Sequence, residues 1–511
     1  MHFGAIDIIT FSLFMILVVG ISLYASRKEE TSEDYFLAGR GLSWWMIGIS
    51  LIASNISTEH FVGMAGQGFM ANIGMAIASY EWIAALALII VALFLLPRFL
   101  KSGIYTIPEF LEYRYNKTPR MIMSFGLLFM YAGVTMATVL YAGGIGMHAI
   151  FGMNVDYAVW LIGGIAGLYT IYGGLKAVVW SDVIQGAALL IGGIVVTVLA
   201  MDAVGGWNKF VELSEGRLHT VLPANHPELP WTAVFVGGMW LPNIFYWGLN
   251  QFITQRTLAA KSLSEGQKGI LFGASMKLII PMIVVFPGII AYELYGSQIT
   301  NADLAYPTLV KNILPVGLAG IMFAALFGAT MSTLDSLLNS AATIFTIDFY
   351  QPYINKRASQ KQLIGAGRIA TFVFVVIACL CTRFVADFGE GLYKFIQIWW
   401  GCIQPGIVAA FFLGFFSNRI SPVAATVGML LNIPLYLFLL WQFPQVPFLH
   451  HMLICFVYIC LTMIIISSFI PETREIVYPE KEGYDMRPSK TVKLWSFAVF
   501  VATVVLYVVF R

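Results

Sequence analysis

Charge is what this chain has least of: Asp, Glu, Lys and Arg make up 11% of its 511 residues, against about a quarter in a soluble domain. That scarcity excludes an ordinary water-soluble enzyme, and a net charge of +2 held in short loops excludes a basic nucleic-acid face. Cysteine is almost as rare. All five, Cys379, Cys381, Cys402, Cys455 and Cys460, lie in apolar runs, with no paired spacing that would build a metal site or an exported disulfide framework. No nucleophile–base pair, phosphate loop or His/Cys cluster is visible, which argues against catalysis. No soluble domain, low-complexity tract or evident repeat interrupts the chain, so residues 1–511 read as one domain.

What the chain has instead is apolar length, with 59% hydrophobic residues. Runs of roughly 20 such residues give about fourteen transmembrane helices, starting near positions 5, 44, 75, 121, 156, 175, 231, 267, 314, 366, 389, 420, 448 and 494. The chain is therefore predicted to be an all-α polytopic membrane protein. The first run, Ala5 to Ser26, is too long for a signal-peptide core and has no basic stretch before it. Placing the first loop, with Arg27, Lys28 and Arg40, in the cytoplasm puts most of the 29 Lys and Arg inside and both termini outside. The glycosylation-type triplets starting at Asn55 and Asn116 fall where glycosylation does not reach, which fits a bacterial inner membrane. Ile104 to Tyr115 reads as a short interfacial helix, and Asp202 to Pro230 as the longest external loop.

Polar residues at membrane depth are the candidates for function. Ser54, Asn55, Ser57, Thr58 and Glu59 sit inside an apolar run, either as a break that frees carbonyls for a cation or as the small polar face of a continuous helix. Glu81 and Lys277 are lone charges in separate helices. They can neutralise one another across a cavity, which favours a neutral, hydroxyl-rich ligand, or form a structural ion pair. In Gly237 to Gln251, glycines and Pro242 weaken the helix near its middle, and Asn243 and Tyr246, three apart, share a face. An amide beside a ring suits a pyranose, although packing aromatics give the same pattern. In Ala329 to Ser336, Ser332, Asp335 and Ser336 fall on one helix face and offer hard oxygens for an alkali cation. Asp182 reads as a cation ligand or as a helix cap near the inner surface, and Gln397 as a ligand amide or a helix–helix contact.

Asp34 to Arg40, Ser50 to Gly63, Ala78 to Trp82, Tyr105 to Phe110, Tyr172 to Gln185, and Asn250–Gln251 with Gln255 to Lys261 resemble the sodium/solute symporter family in its sugar-carrying branch, over nearly the whole chain. The resemblance implies a five-plus-five inverted-repeat (LeuT-like) core over about residues 44–417, with peripheral helices at 1–26 and 420–511. It implies Na+ bound by the carbonyls of Ala53, Ile56 and Ala329 and the hydroxyls of Ser332 and Thr333. It further implies a neutral sugar held by His60, Glu81, Asn243, Lys277 and Gln397, with Tyr246 as inner gate and Met64, Tyr80 and Tyr393 closing the outer side. Three departures matter. His60 stands where bacterial galactose carriers have glutamine, Ala84 where they have serine, and Asp335 where they have alanine. Asp335 with Asp182, Thr333 and Ser336 then offers a second sodium site. The function implied is sodium-coupled hexose symport by alternating access. The competing readings are symport of inositol, sialic acid, proline or pantothenate, and a sugar sensor.

Overall fold

The computed structural model describes residues 5–26, 30–57, 59–315, 317–386, 392–487 and 489–511, leaving aside the side chains of 5, 7, 59, 149–151, 386 and 392–394. Among these the chain is helical throughout, with two isolated β-bridges and no strand. Among the described residues ten helices are long and apolar enough to cross a bilayer, eleven if the pair Phe395–Gly401 and Gln404–Phe416, bent by 44°, is one span. The about fourteen expected crossings exceed this number for a physical reason. The runs near 44 and 231 are interrupted rather than continuous, and those near 156 and 175 lie in one 49-residue helix that breaks at Gly174.

Both interruptions are local consequences of sequence. Helix α1, Trp44–Asn55, ends where Ile56 turns to an extended conformation (φ −77°, ψ 100°). After residue 58 the chain continues as the wide turn Glu59–Met64 and the short helix Ala65–Phe69. The alternative of a continuous helix through Ser50–Gly63 is thereby overturned. The second interruption opens at Gly237 (φ 175°, ψ −45°), resumes as Trp240–Ile244 and Phe245–Leu249, and opens again at Asn250 before helix α3, Gln251–Leu258. Pro242 is not the breaker expected. It lies in the first turn of Trp240–Ile244, where its missing N–H has no helical partner to lose.

Helix α2, Val155–Ala203, begins on an Asn154 cap and is broken at Gly174 (φ +47°), where a Cβ would lie 2.3 Å from the Tyr35 carbonyl oxygen. Only glycine fits that backbone at that distance. The second half of α2 packs on α1 so closely that a Cβ at Gly186 would stand 2.7 Å from the Ala53 Cβ. Small residues allow this approach where burial of apolar surface gives helices no drive to associate. Helix α4, Leu263–Tyr295, starts on a Ser262 cap and packs on α1. Helix α5, Leu318–Ile344, packs on α2, and from Ala324 to Ile344 it is buried without interruption. Four elements, α1, α2, α4 and α5, thus surround the first break.

Outside this core two polar segments are tied down. In the expected interfacial stretch the helix runs over Ile107–Arg114, and it is covered rather than free: Tyr478 stacks on Phe110 (5.2 Å between rings) and Arg474 Nη2 donates to the Tyr115 carbonyl at 2.5 Å. In the long loop, the N–H of Thr220 donates to the Phe510 carbonyl at 2.8 Å, and His226 Nε2 lies 3.1 Å from the Asn72 carbonyl.

Candidate functional site

The breaks bring the singled-out residues to one place. A cavity of about 130 Å³ is lined by all six of the expected sugar-binding side chains, His60, Glu81, Asn243, Tyr246, Lys277 and Gln397. Met64 and Tyr80, the expected outer gates, and Ala84 line it too. The side chain of Tyr393, the third expected gate, lies outside the described residues.

Each position has a local cause. Glu81 projects from the first turn of Ser79–Ile90, and Lys277 from the middle of α4, too far from either end to reach the headgroups. Lys277 Nζ meets Glu81 Oε2 at 2.5 Å, and both side chains are almost wholly buried, with relative exposures of 1% and 6%. A buried carboxylate and ammonium are tolerable only as such a pair. Lys277 also donates to Asn55 Oδ1, and its ammonium lies 5.0 Å from the centre of the Trp247 ring. Asn55 Nδ2 in turn donates to the Tyr246 hydroxyl at 3.0 Å. Asn55 thus joins the first interruption to the second, a role its place in a polar run did not reveal. His60 Nε2 stands 3.5 Å from Glu81 Oε1, and its Nδ1 has no partner among the described residues. Asn243 spends one N–H on the Met239 carbonyl (2.9 Å). The lining therefore offers amides, an imidazole and a phenol, while its two formal charges cancel.

Beside the cavity lies an oxygen cluster. Where α1 ends, the carbonyls of its last turn lose their helical donors. Thr333 Oγ1 lies 3.2 Å from the Ser54 carbonyl oxygen and 3.1 Å from that of Ala329, so α5 is stitched to the end of α1 through oxygens alone. Ser332 points to a different neighbour and donates to Asp182 Oδ1 at 2.5 Å. Asp182 is fully buried within α2, which overturns the reading of it as a cap near the surface. It also accepts from Ser50 (2.5 Å) and Ser54 (3.1 Å), and Ser54 Oγ lies 2.9 Å from Ser336 Oγ.

The four residues expected to form a second cation set are divided. Asp182 and Ser336 belong to this serine group, whereas Asp335 accepts from Tyr169 and, at 3.1 Å, from Thr170. Successive residues of a helix lie about 100° apart, so Asp335 and Ser336 look toward different neighbours. The guanidinium of Arg256, buried beside Asp182, is the main element that sequence reasoning missed. Among the described residues no group of three or more His, Cys, Asp or Glu is placed to hold a metal ion, so any cation here meets mainly carbonyls and hydroxyls.

Comparison with known proteins gives this geometry a context. The model of the sodium:solute symporter family matches residues 35–432. A sodium/glucose cotransporter of Vibrio parahaemolyticus is 40% identical over 99% of this chain and 98% of its own length. Sodium/myo-inositol cotransporter 2 of Mus musculus is 33% identical over 84% of this chain and 68% of its own. The solved structure of a Na+-coupled sialic acid symporter, in a substrate-bound outward-open state, superposes with a TM-score of 0.81 at 21% identity, covering 94% of this chain and 100% of that one. At that identity the likeness establishes the fold, an all-helical LeuT-like architecture.

Proposed function

The chain belongs to the sodium:solute symporter family, and from that premise we propose that the solute it carries with sodium is a neutral hexose of the glucose or galactose type. It is an integral membrane protein and a sodium-coupled symporter. The observation that carries the sugar assignment is the closed Glu81–Lys277 pair at the cavity wall. With that charge already neutralised, the cavity has no spare Lys or Arg among the described residues for the carboxylate of an acid such as sialic acid or proline. What remains is His60, Asn243, Gln397 and the Tyr246 ring, whose hydrogen-bonding capacity and apolar face match a pyranose. A second reading, a cyclic polyol, is favoured by the myo-inositol relative and fits the same lining.

For sodium we assign the carbonyls of Ala53, Ile56 and Ala329 with the hydroxyls of Thr333 and Ser332. The convergence of Thr333 Oγ1 with the Ser54 and Ala329 carbonyls supports the assignment and adds Ser54 to the set. A hard monovalent cation suits such oxygens. Because these groups come from both α1 and α5, sodium would tighten the first break against α5 and so favour the arrangement in which the sugar site is assembled. That is coupling through one shared equilibrium. Sugar would then close Met64, Tyr80 and Tyr393 on one side, and Tyr246 would yield on the other. As for a second sodium, the serine group around Asp182 and Ser336 supports one, whereas Asp335 stands apart on Tyr169 and Thr170. We place the chain in a bacterial inner membrane with both termini outside, as the distribution of Lys and Arg favours.

The test is uptake of labelled glucose and galactose into proteoliposomes with and without an inward sodium gradient, with a sodium ionophore as control. Accumulation above equilibrium that the ionophore abolishes is expected. Failure to accumulate either sugar, with myo-inositol accumulated instead, would favour the polyol. Sugar binding without accumulation of any solute would point to a sensor. Gln397→Ala and Asn243→Ala are each expected to abolish sugar binding in purified protein while leaving its thermal unfolding unchanged; normal affinity in both would remove them from the site.

A further inference from the structure

Arg256 does not line the sugar cavity, yet its guanidinium is wholly buried beside the oxygen cluster. From α3 its Nε donates to Ser50 Oγ at 2.8 Å, its Nη2 to Ser336 Oγ at 2.7 Å, and its Nη1 to the Phe252 carbonyl. Asp182 Oδ2 is 3.5 Å from Nη2, longer than a tight charge-assisted hydrogen bond, with Ser50 bridging the two groups. Arginine is the side chain suited to this position, because a planar fork reaches two hydroxyls on separate helices at once.

Two features flank it. On one side, a turn along α2 from Asp182, both amide atoms of Gln185 are buried without a partner among the described residues, and its stem packs against Gly328 next to Ala329. Orphaned polar groups of this kind call for a ligand or water. On the other side, Ser336, Ser340 and Thr343 continue the hydroxyl stripe of α5. Gln255 accepts from Ser340 (2.7 Å) and donates to Thr343 (2.7 Å) and to the Phe36 carbonyl (2.6 Å). Arg256 therefore stands where the oxygen cluster passes into a polar column leading away from it.

We propose that Arg256 is a tethered counter-ion that competes with transported sodium for Asp182 and thereby sets sodium affinity and release. The proposal rests on the sodium coupling assigned above. A buried carboxylate left without a cation is strongly destabilising. When sodium is absent, the guanidinium supplies that charge. When sodium sits among Ser54, Ala329, Thr333 and Ser332, drawing on Asp182 through Ser332, the guanidinium gives up Ser50 and keeps only its bonds to Ser336 and the Phe252 carbonyl. Its return to Ser50 displaces sodium from the cluster. The sodium site is then free in only a fraction of molecules, and apparent affinity is weakened by that fraction. Arg256 is a positioning residue: it acts on the solute only through the cation.

The experiment is sodium binding to the purified full-length chain, read by displacement of radioactive sodium, for wild type, Arg256→Gln and Arg256→Lys, with thermal unfolding to show that each is folded. Removing the competitor is expected to tighten sodium binding about tenfold in Arg256→Gln. Lysine keeps the charge but cannot bridge both serines, and should tighten binding about threefold. Sodium-driven turnover in proteoliposomes should fall several-fold in both. A merely structural arginine would give weaker binding, so unchanged or weaker sodium affinity in a folded variant overturns the proposal while leaving sodium coupling intact. If Arg256→Gln does not fold, Arg256→Lys decides alone by the same criterion. A wild-type protein that binds no sodium would overturn both readings.

Discussion

Glu81 and Lys277 illustrate how much a single buried pair controls. Both side chains are almost wholly buried, and breaking such a pair costs about 3–5 kcal/mol. Glu81→Gln and Lys277→Met should each lower thermal stability by an amount in that range. The double variant should recover part of the loss, because no uncompensated charge remains, yet stay inactive in uptake. A loss in the double variant equal to the sum of the two single losses would show that the pair is not coupled. These two residues were legible in the sequence because a charge in an apolar run is conspicuous. Arg256 was not. It lies in the polar stretch Asn250–Lys261, where an arginine attracts no notice, and its burial is created by Ser50 and Ser336, 206 and 80 residues away along the chain. The division of Asp335 from Ser336 was likewise hidden, because i, i+3 and i+4 spacing fixes which side of a helix a residue takes but not which neighbours stand there.

At the scale of elements, function depends on where helices stop. The break after Asn55 was readable from its polar residues, and the boundary between the runs near 156 and 175 falls at Gly174. The second interruption was placed correctly only to within a turn or two. Proline is the stronger breaker inside a helix, but here Gly237 opens the chain first and Pro242 then starts a new helix. Gly174→Ala should be severely destabilising. It adds to the about 1–3 kcal/mol cost of a positive-φ, extended-ψ backbone that essentially only glycine adopts a methyl group 2.3 Å from the Tyr35 carbonyl oxygen, a backbone atom that a side-chain rotation cannot move aside. Expression yield and thermal unfolding in detergent would measure this; a wild-type melting temperature would mean the break can shift to a neighbouring residue.

For the whole molecule, composition alone pointed to a membrane protein of many helices, and the ordered motifs pointed to the family that the family model and the relatives then showed. Counting apolar runs could not separate a continuous crossing from an interrupted one, since both have the same mean hydropathy. Nor could it show that the stretch around Ile107–Arg114 is covered by residues near Tyr478, because amphipathic spacing fits a lipid interface and a protein interface equally well. The two buried pairs, Glu81 with Lys277 and Asp182 with Arg256, have an electrical consequence. Each is neutral, so neither carries net charge through the transmembrane field when the empty carrier reorients. Voltage would then act on the pairs' surroundings only once sodium enters, with about 2.3 kcal/mol available per charge moved through 100 mV. Removing the Glu81–Lys277 pair in the double variant should therefore leave the voltage dependence of orientation exchange in sodium-free liposomes unchanged, whereas sodium-loaded uptake by the wild type should steepen as the interior is made negative.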